Sequence, residues 1–203
     1  MKKSLLLLLI MTVLLALTLG SCNNGTTDTE QTPGETQGDN TENGGNIGLL
    51  YEVNTDGTTC TVTGIGSFTG TELEIPEYID GYKVTSIGEG AFQYCYSLTS
   101  IVIPDSVTYI GEWAFSGCGF TSIVIPDSVT SIGDYAFRDC SSLASIVIPD
   151  SVTSIGWSVF DGCSALTDVY YTGSEAEWAQ ISIYGDNEYL TSSNIHYNYV
   201  PEN

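Results

Sequence analysis

The stretch Leu98-Thr-Ser-Ile101-Val-Ile103-Pro104-Asp-Ser-Val107-Thr-Tyr-Ile110-Gly111-Glu-Trp-Ala114-Phe115-Ser-Gly-Cys118 decides the fold, because the chain repeats it. The next copy sets Phe120, Ile123, Ile125, Pro126, Val129, Ile132, Gly133, Ala136 and Phe137 ahead of Cys140. A third sets Leu143, Ile146, Ile148, Pro149, Val152, Ile155, Gly156, Val159 and Phe160 ahead of Cys163. The cysteines Cys95, Cys118, Cys140 and Cys163 stand 23, 22 and 23 residues apart, the short step being one residue lost after Cys118. A period of this length marks stacked repeats.

Each part of the unit has a physical reading. Leu-x-x-Ile-x-Ile alternates as a half-buried strand does, and proline ends it because its missing N–H cannot continue a ladder. Val-x-x-Ile-Gly predicts a second extended piece closed by a turn glycine. Glu/Asp-x-Ala-Phe predicts a single helical turn, with the cysteine in the bend back to the next strand. One unit cannot bury its apolar face alone, whereas units stacked at about 4.8 Å share a continuous core. The predicted fold is therefore a β-rich, right-handed solenoid of ~23-residue units with a parallel sheet on its concave face, short helical turns and terminal caps.

Degenerate copies flank the three complete ones. Leu73-Glu-Ile75-Pro76 precedes Ile87-Gly88, Ala91-Phe92 and Cys95, with five extra residues accommodated by Glu77 to Lys83. Leu166 to Tyr171 matches only the strand part. Tyr51 to Thr63 predicts a hairpin about Asn54-Thr-Asp56-Gly57, covering the first unit. Beyond Tyr171, Ser174-Glu-Ala-Glu177 is a capping box opening a helix through Trp178 and Ile181, and Ile195 to Tyr199 predicts a closing strand. The expected units are an N-terminal cap over 48–72, the solenoid over 73–172 and a C-terminal cap over 173–203.

From Leu73 to Tyr171 these units resemble the BspA-like leucine-rich-repeat family, the cysteine-bearing type of bacterial surface proteins. The resemblance implies binding of proteins or host matrix at the cell surface rather than catalysis. With only three complete units, the expected binding face is short.

The N-terminus agrees with export. Met1-Lys2-Lys3 precedes an apolar run from Leu5 to Leu19, shorter than the roughly 20 residues of a bilayer-crossing helix and typical of a secretory signal. Its end, Leu19-Gly20-Ser21-Cys22, resembles a lipobox, which implies a signal over 1–21, lipidation of Cys22 and membrane anchoring by lipid. An ordinary signal cleaved near Ser21 is the competing reading. Residues 22–47 are expected to be a disordered tether, since Asn23 to Asn46 holds no apolar residue to bury. The expected location is extracytoplasmic, at the cell surface.

Four basic residues face 25 acidic ones, a formal charge of −21, and such a surface repels phosphate backbones, so nucleic acid is excluded as a partner. The four repeat cysteines read as small buried hydrophobes, their equivalent side chains running parallel; bridged pairs are the alternative, since stacked Cα atoms about 5 Å apart fall within disulfide range. The chain has no Cys-x-x-Cys pair and one histidine, which argues against zinc. His196 lies between Ile195 and Tyr197 with no Gly-x-Ser-x-Gly or His-Glu-x-x-His in the chain, so it reads as a surface strand residue. Asp105, Asp127 and Asp150 form a carboxylate column; turn aspartates bonding their own backbone are preferred to calcium bridging. No enzyme, cofactor or metal is expected.

Projection of the repeat aligns Glu72, Ser100, Ser122, Ser145 and Asp168 beside Glu74, Val102, Val124, Val147 and Tyr170. The candidate partner-binding residues on this face are Ser100, Val102, Ser122, Val124, Ser145, Val147, Asp168 and Tyr170, suited to a protein ligand at the cell surface, host and matrix proteins included. The alternative is a plain sheet in which valine merely suits strands. Tyr109, Trp113, Tyr135 and Trp157 vary between units and form a second candidate surface, aromatics being enriched at contact sites. In a glycan-binding accessory lipoprotein, Trp113, Tyr135 and Trp157 would be the stacking platforms.

Overall fold

The alternation of the units becomes two parallel ladders along the coil of the computed structural model, which describes residues 47–201. The signal over 1–21, Cys22 and all of the expected tether except Ile47 lie outside the described residues. No helix among the described residues is long and apolar enough to cross a membrane.

The Leu-x-x-Ile-x-Ile segments form one ladder. Glu72–Glu74 pairs with Ser100–Val102, and Ser122–Val124, Ser145–Ile148, Asp168–Tyr171 and Asn194–His196 pair in succession, all parallel. Pairing lapses between Ser100–Val102 and Ser122–Val124, beside the unit shortened by one residue. There Gly119 donates its N–H to Leu98 O at 3.1 Å, and a Cβ on Gly119 would run into the Tyr96 carbonyl oxygen.

The Val-x-x-Ile segments form the second ladder. Thr59–Gly64, Tyr82–Ile87, Tyr109–Ile110, Ser131–Ile132, Ser154–Ile155 and Ser182–Ile183 follow one another in parallel. Leu50–Val53 adds antiparallel to Thr59–Gly64 as the expected hairpin. The extra residues after Pro76 form a second hairpin, Tyr78–Ile79 against Tyr82–Ile87, turning at Asp80 (φ 51°) and Gly81 (φ 89°). That Asp-Gly pair between alternating residues is a hairpin signal.

Inside the coil lie the strand positions Leu73, Ile101, Ile123, Ile146 and Val169, and the ring stack Phe92, Phe115, Phe137, Phe160. Successive rings of that stack are 5.4, 5.4 and 5.7 Å apart, within 17° of parallel. Burying one such phenylalanine stabilises by about 1.5–3 kcal/mol, and each stacked pair adds roughly 0.5–1.5 kcal/mol.

The Glu/Asp-x-Ala-Phe segments are successive turns, not the helical turns the sequence predicts. Left-handed residues recur at two positions in each unit: Gly90, Trp113, Tyr135 and Ser158 (φ 60°, 57°, 59°, 51°), then Tyr94, Gly117, Asp139 and Gly162 (φ 59°, 72°, 58°, 77°). This backbone aims every second N–H at the next unit. Gly90, Phe92 and Tyr94 donate to Glu112, Ala114 and Ser116 carbonyls at 2.8, 2.8 and 2.7 Å. Trp113, Phe115 and Gly117 do the same to Asp134, Ala136 and Arg138, and Tyr135, Phe137 and Asp139 to Trp157, Val159 and Asp161. The turn edge is thus a third line of hydrogen bonds between units.

The thiols join this edge. Cys118, Cys140 and Cys163 donate to the carbonyls of Phe92, Phe115 and Phe137 at 3.2, 3.1 and 3.1 Å. They are buried and free, as is Cys60; each is aimed at a carbonyl rather than at its neighbour. Cys95, at the head of the column, is buried like them.

Past Tyr171 the sequence period is lost, yet Ser182–Ile183 and Asn194–His196 carry both ladders one strand further. Ser174 caps the helix Glu175–Trp178 with a complete capping box, and that helix ends before Ile181. A second short helix, Glu188–Thr191, begins after Asn187.

Candidate functional site

Strand register aligns the two outward columns in two stretches, on either side of the lapse between Ser100–Val102 and Ser122–Val124. Glu72 lies against Ser100, and Ser122, Ser145, Asp168 and Asn194 follow in line. Beside them run Glu74 against Val102, then Val124, Val147, Tyr170 and His196. Val102 and Val124 are 55% and 54% exposed, with Ile101 and Ile123 buried beneath them. Alternation along a strand gives this outcome, one face in the core and the other in water.

The column does not end at Tyr170. His196 stacks on the Tyr170 ring at 4.7 Å and 15°, and Tyr199 leans on it from 4.7 Å. His196 Nε2 lies 2.7 Å from Asp168 Oδ1. The His196 contact, with a hydrogen bond from Thr167 Oγ1 at 2.8 Å, holds the Asp168 carboxyl below its ordinary value. His196 is thus the last rung of the valine column, a place hidden from the sequence because its strand falls outside the clear period.

The aromatic candidates divide. Trp113 and Tyr135 occupy equivalent left-handed positions and stack at 4.1 Å and 14°. Trp113 Nε1 donates to Glu112 Oε1 at 2.9 Å. Arg138 lies 5.6 Å from both ring centroids, and its Nε is 3.2 Å from Asp161 Oδ2, an ion pair without hydrogen-bond geometry. Tyr109 (42% exposed) projects from the second ladder, its hydroxyl pKa raised by burial and then by Glu112, Asp134 and Glu89. Trp157 (50% exposed) gives its backbone N–H to Asp134 Oδ1 at 2.8 Å, its ring tilted against Tyr184.

Asp105, Asp127 and Asp150 are exposed, and among the described residues no three His, Cys, Asp or Glu side chains gather closely enough to hold a metal. The buried thiols are poor nucleophiles: burial pushes Cys140 up to about 12 and raises Cys118 and Cys163 as well.

Repeated strands in parallel ladders, a common core and outward columns in register define a leucine-rich-repeat solenoid. The chain belongs to the BspA type leucine rich repeat family, whose pattern matches residues 63–195 in six copies. Six are found where three are legible in full because the coil extends into both flanks. Among solved structures, a T. pallidum leucine rich repeat protein is 36% identical, with TM-score 0.58, over 61% of this chain and 57% of that one. A leucine rich cell surface protein of Faecalibacterium prausnitzii is 31% identical, with TM-score 0.53, over 66% of this chain and 40% of that one. The chain therefore spans about half the length of these relatives. No curated protein matches it.

Proposed function

We propose that this protein is a protein-binding, adhesive module held at a bacterial cell surface by a lipid on Cys22, and that its strand face receives the partner. The observation that carries the reading is the exposure of Val102 and Val124, the latter in register with Val147 and Tyr170, with Ser100, Ser122, Ser145 and Asp168 in the neighbouring column. Covering exposed valines on one face is favourable, and the hydroxyls beside them offer hydrogen bonds without fixed charge. The F. prausnitzii relative, described as a cell surface protein, supports the location. The lipobox-like Leu19-Gly20-Ser21-Cys22 supports the anchor. We read the chain as non-enzymatic, in keeping with the BspA type leucine rich repeat family whose pattern it matches.

The test is binding of immobilised residues 22–203 to matrix and cell-surface proteins, with Val124→Glu beside the parent. A ligand that binds the parent and is lost with Val124→Glu is the expected result. Absence of any ligand, or a ligand indifferent to Val124→Glu, overturns the assignment. Incorporation of labelled fatty acid into the expressed chain, abolished by Cys22→Ala, tests the anchor separately.

A further inference from the structure

We propose that the turn face carries a second, independent binding site: a platform on which the indole of Trp113 stacks against a neutral sugar ring. The argument starts from backbone energetics. Trp113 and Tyr135 hold left-handed φ values of 57° and 59°, a conformation that disfavours any residue with a Cβ and bulky ones most. The fold does not require aromatic rings there. The equivalent residue of the preceding unit, Gly90, holds φ 60° with no side chain, and that of the following unit is Ser158. Two large rings kept in an unfavourable conformation, where glycine would serve the coil, point to a role outside folding.

The rings are positioned to receive a ligand from one side. Stacked at 4.1 Å, each covers one face of the other. Arg138, at 5.6 Å from both centroids, lies beside the pair and caps neither outer face. In the unit before Trp113 the equivalent residue is Gly90, whose N–H is bonded to the Glu112 carbonyl at 2.8 Å. A Cβ on Gly90 would approach nothing closer than Gln93 Oε1, at 3.8 Å. The Gly90 position is therefore open, one unit before the half-buried Trp113.

The rim decides the chemistry. Glu112 fixes the indole through Nε1 at 2.9 Å, Glu89 precedes Gly90 in the sequence, and Gln93 Oε1 comes within 3.8 Å of a Cβ at Gly90. Gln93 stands three residues beyond Gly90 rather than next to it; these side chains accept hydrogen bonds from hydroxyls, and the amide can also donate. A pyranose has this complement: a face of C–H bonds for the aromatic plane and a rim of hydroxyls for carboxylate and amide. Glu89, Glu112 and the formal charge of −21 exclude uronate, sialylated and sulfated sugars by repulsion, leaving neutral ones.

The experiment is titration of the full chain with neutral hexasaccharides (α- and β-linked glucans, a mannan and a galactan) and with an oligogalacturonate, followed by tryptophan fluorescence and calorimetry. At least one neutral oligosaccharide binds, and Trp113→Gly weakens it roughly ten-fold or more with the circular dichroism of the parent retained. Val124→Glu leaves that affinity within about two-fold, separating this site from the strand face. No neutral ligand binding below about 10 mM, undiminished binding by Trp113→Gly, or equal affinity for the galacturonate overturns the proposal. Failure of neutral sugars alongside quenching by an aromatic peptide would instead assign the platform to protein.

Discussion

Asn187 Oδ1 accepts the Phe160 N–H at 3.1 Å, and this single side chain closes the turn edge of the coil. In earlier units the phenylalanine N–H finds the carbonyl of Ala114, Ala136 or Val159 one turn on. Phe160 has no such successor. The Asn187 amide stands in for it while Nδ2 donates to Gly156 O at 2.9 Å and Tyr184 O at 2.8 Å. The residue is only 4% exposed, so water cannot replace it.

Asn187→Ala is therefore expected to destabilise the fold by about 1–3 kcal/mol, the cost of leaving buried groups unpaired, read from urea unfolding. Asn187→Asp keeps the acceptor for Phe160 but sets a carboxylate against two carbonyls. It should be no milder than alanine at neutral pH and should recover as acid protonates it.

Gly119 is the second structural pivot. Because the unit is one residue short, its backbone crosses close to Tyr96, and a Cβ there meets the Tyr96 carbonyl oxygen. Gly119→Ala should lower the melting temperature, with a cost of roughly 1–3 kcal/mol for forcing the turn apart. Inserting one serine after Cys118 restores the usual spacing and should be tolerated far better than that substitution.

The free thiols should resist alkylation while the coil is folded. Thiolate is the reactive form, and burial pushes Cys140 up to about 12. Iodoacetamide at neutral pH is expected to leave Cys118, Cys140 and Cys163 unlabelled in the native protein and to label all three in urea, as mass spectrometry would show.

Acid should loosen the N-terminal hairpin. Asp56 accepts the N–H groups of Thr58 and Thr59 at 2.7 and 2.8 Å and the Thr59 hydroxyl at 2.6 Å. Led by the Thr59 hydroxyl, these bonds lower its pKa from 3.8 to about 2. A folded value below the unfolded one means the stabilisation is complete above the unfolded pKa and fades as pH falls toward the folded one. The part of the stability difference between the parent and Asp56→Ala that comes from this shift should be constant from pH 7 to about 5, shrink as pH falls toward 2 and be lost only below it.

How far these features were legible follows from what each depends on. The core, the cysteine column and both outward columns depend on side-chain period, so Ile101, Cys140 and Val124 fall where the repeat puts them. The Ser174 capping box is likewise local chemistry and forms as read. The turn edge is made of main-chain bonds, which leave no residue signature, and a left-handed position is invisible where it holds Trp113 or Tyr135 instead of glycine. Ser182-Ile183-Tyr184-Gly185 did carry a signal, a spaced echo of Ser154-Ile155-Gly156, but too short to separate from chance. His196 and Asn187 act through that last turn, so their places were hidden with it.

The left-handed turn yields a prediction that separates backbone from side chain. Removing the indole of Trp113 loses its stacking with Tyr135, worth about 0.5–1.5 kcal/mol, in both Trp113→Ala and Trp113→Gly. The two differ only in that alanine keeps a Cβ in a conformation costing an L-residue roughly 1–2 kcal/mol, whereas glycine is free of it. Trp113→Gly should consequently be the more stable by about 1 kcal/mol, opposite to the order at an ordinary turn or strand position. Paired urea melts of the two variants measure that difference directly, and alanine proving the more stable would show that φ 57° at Trp113 is not retained once the ring is gone.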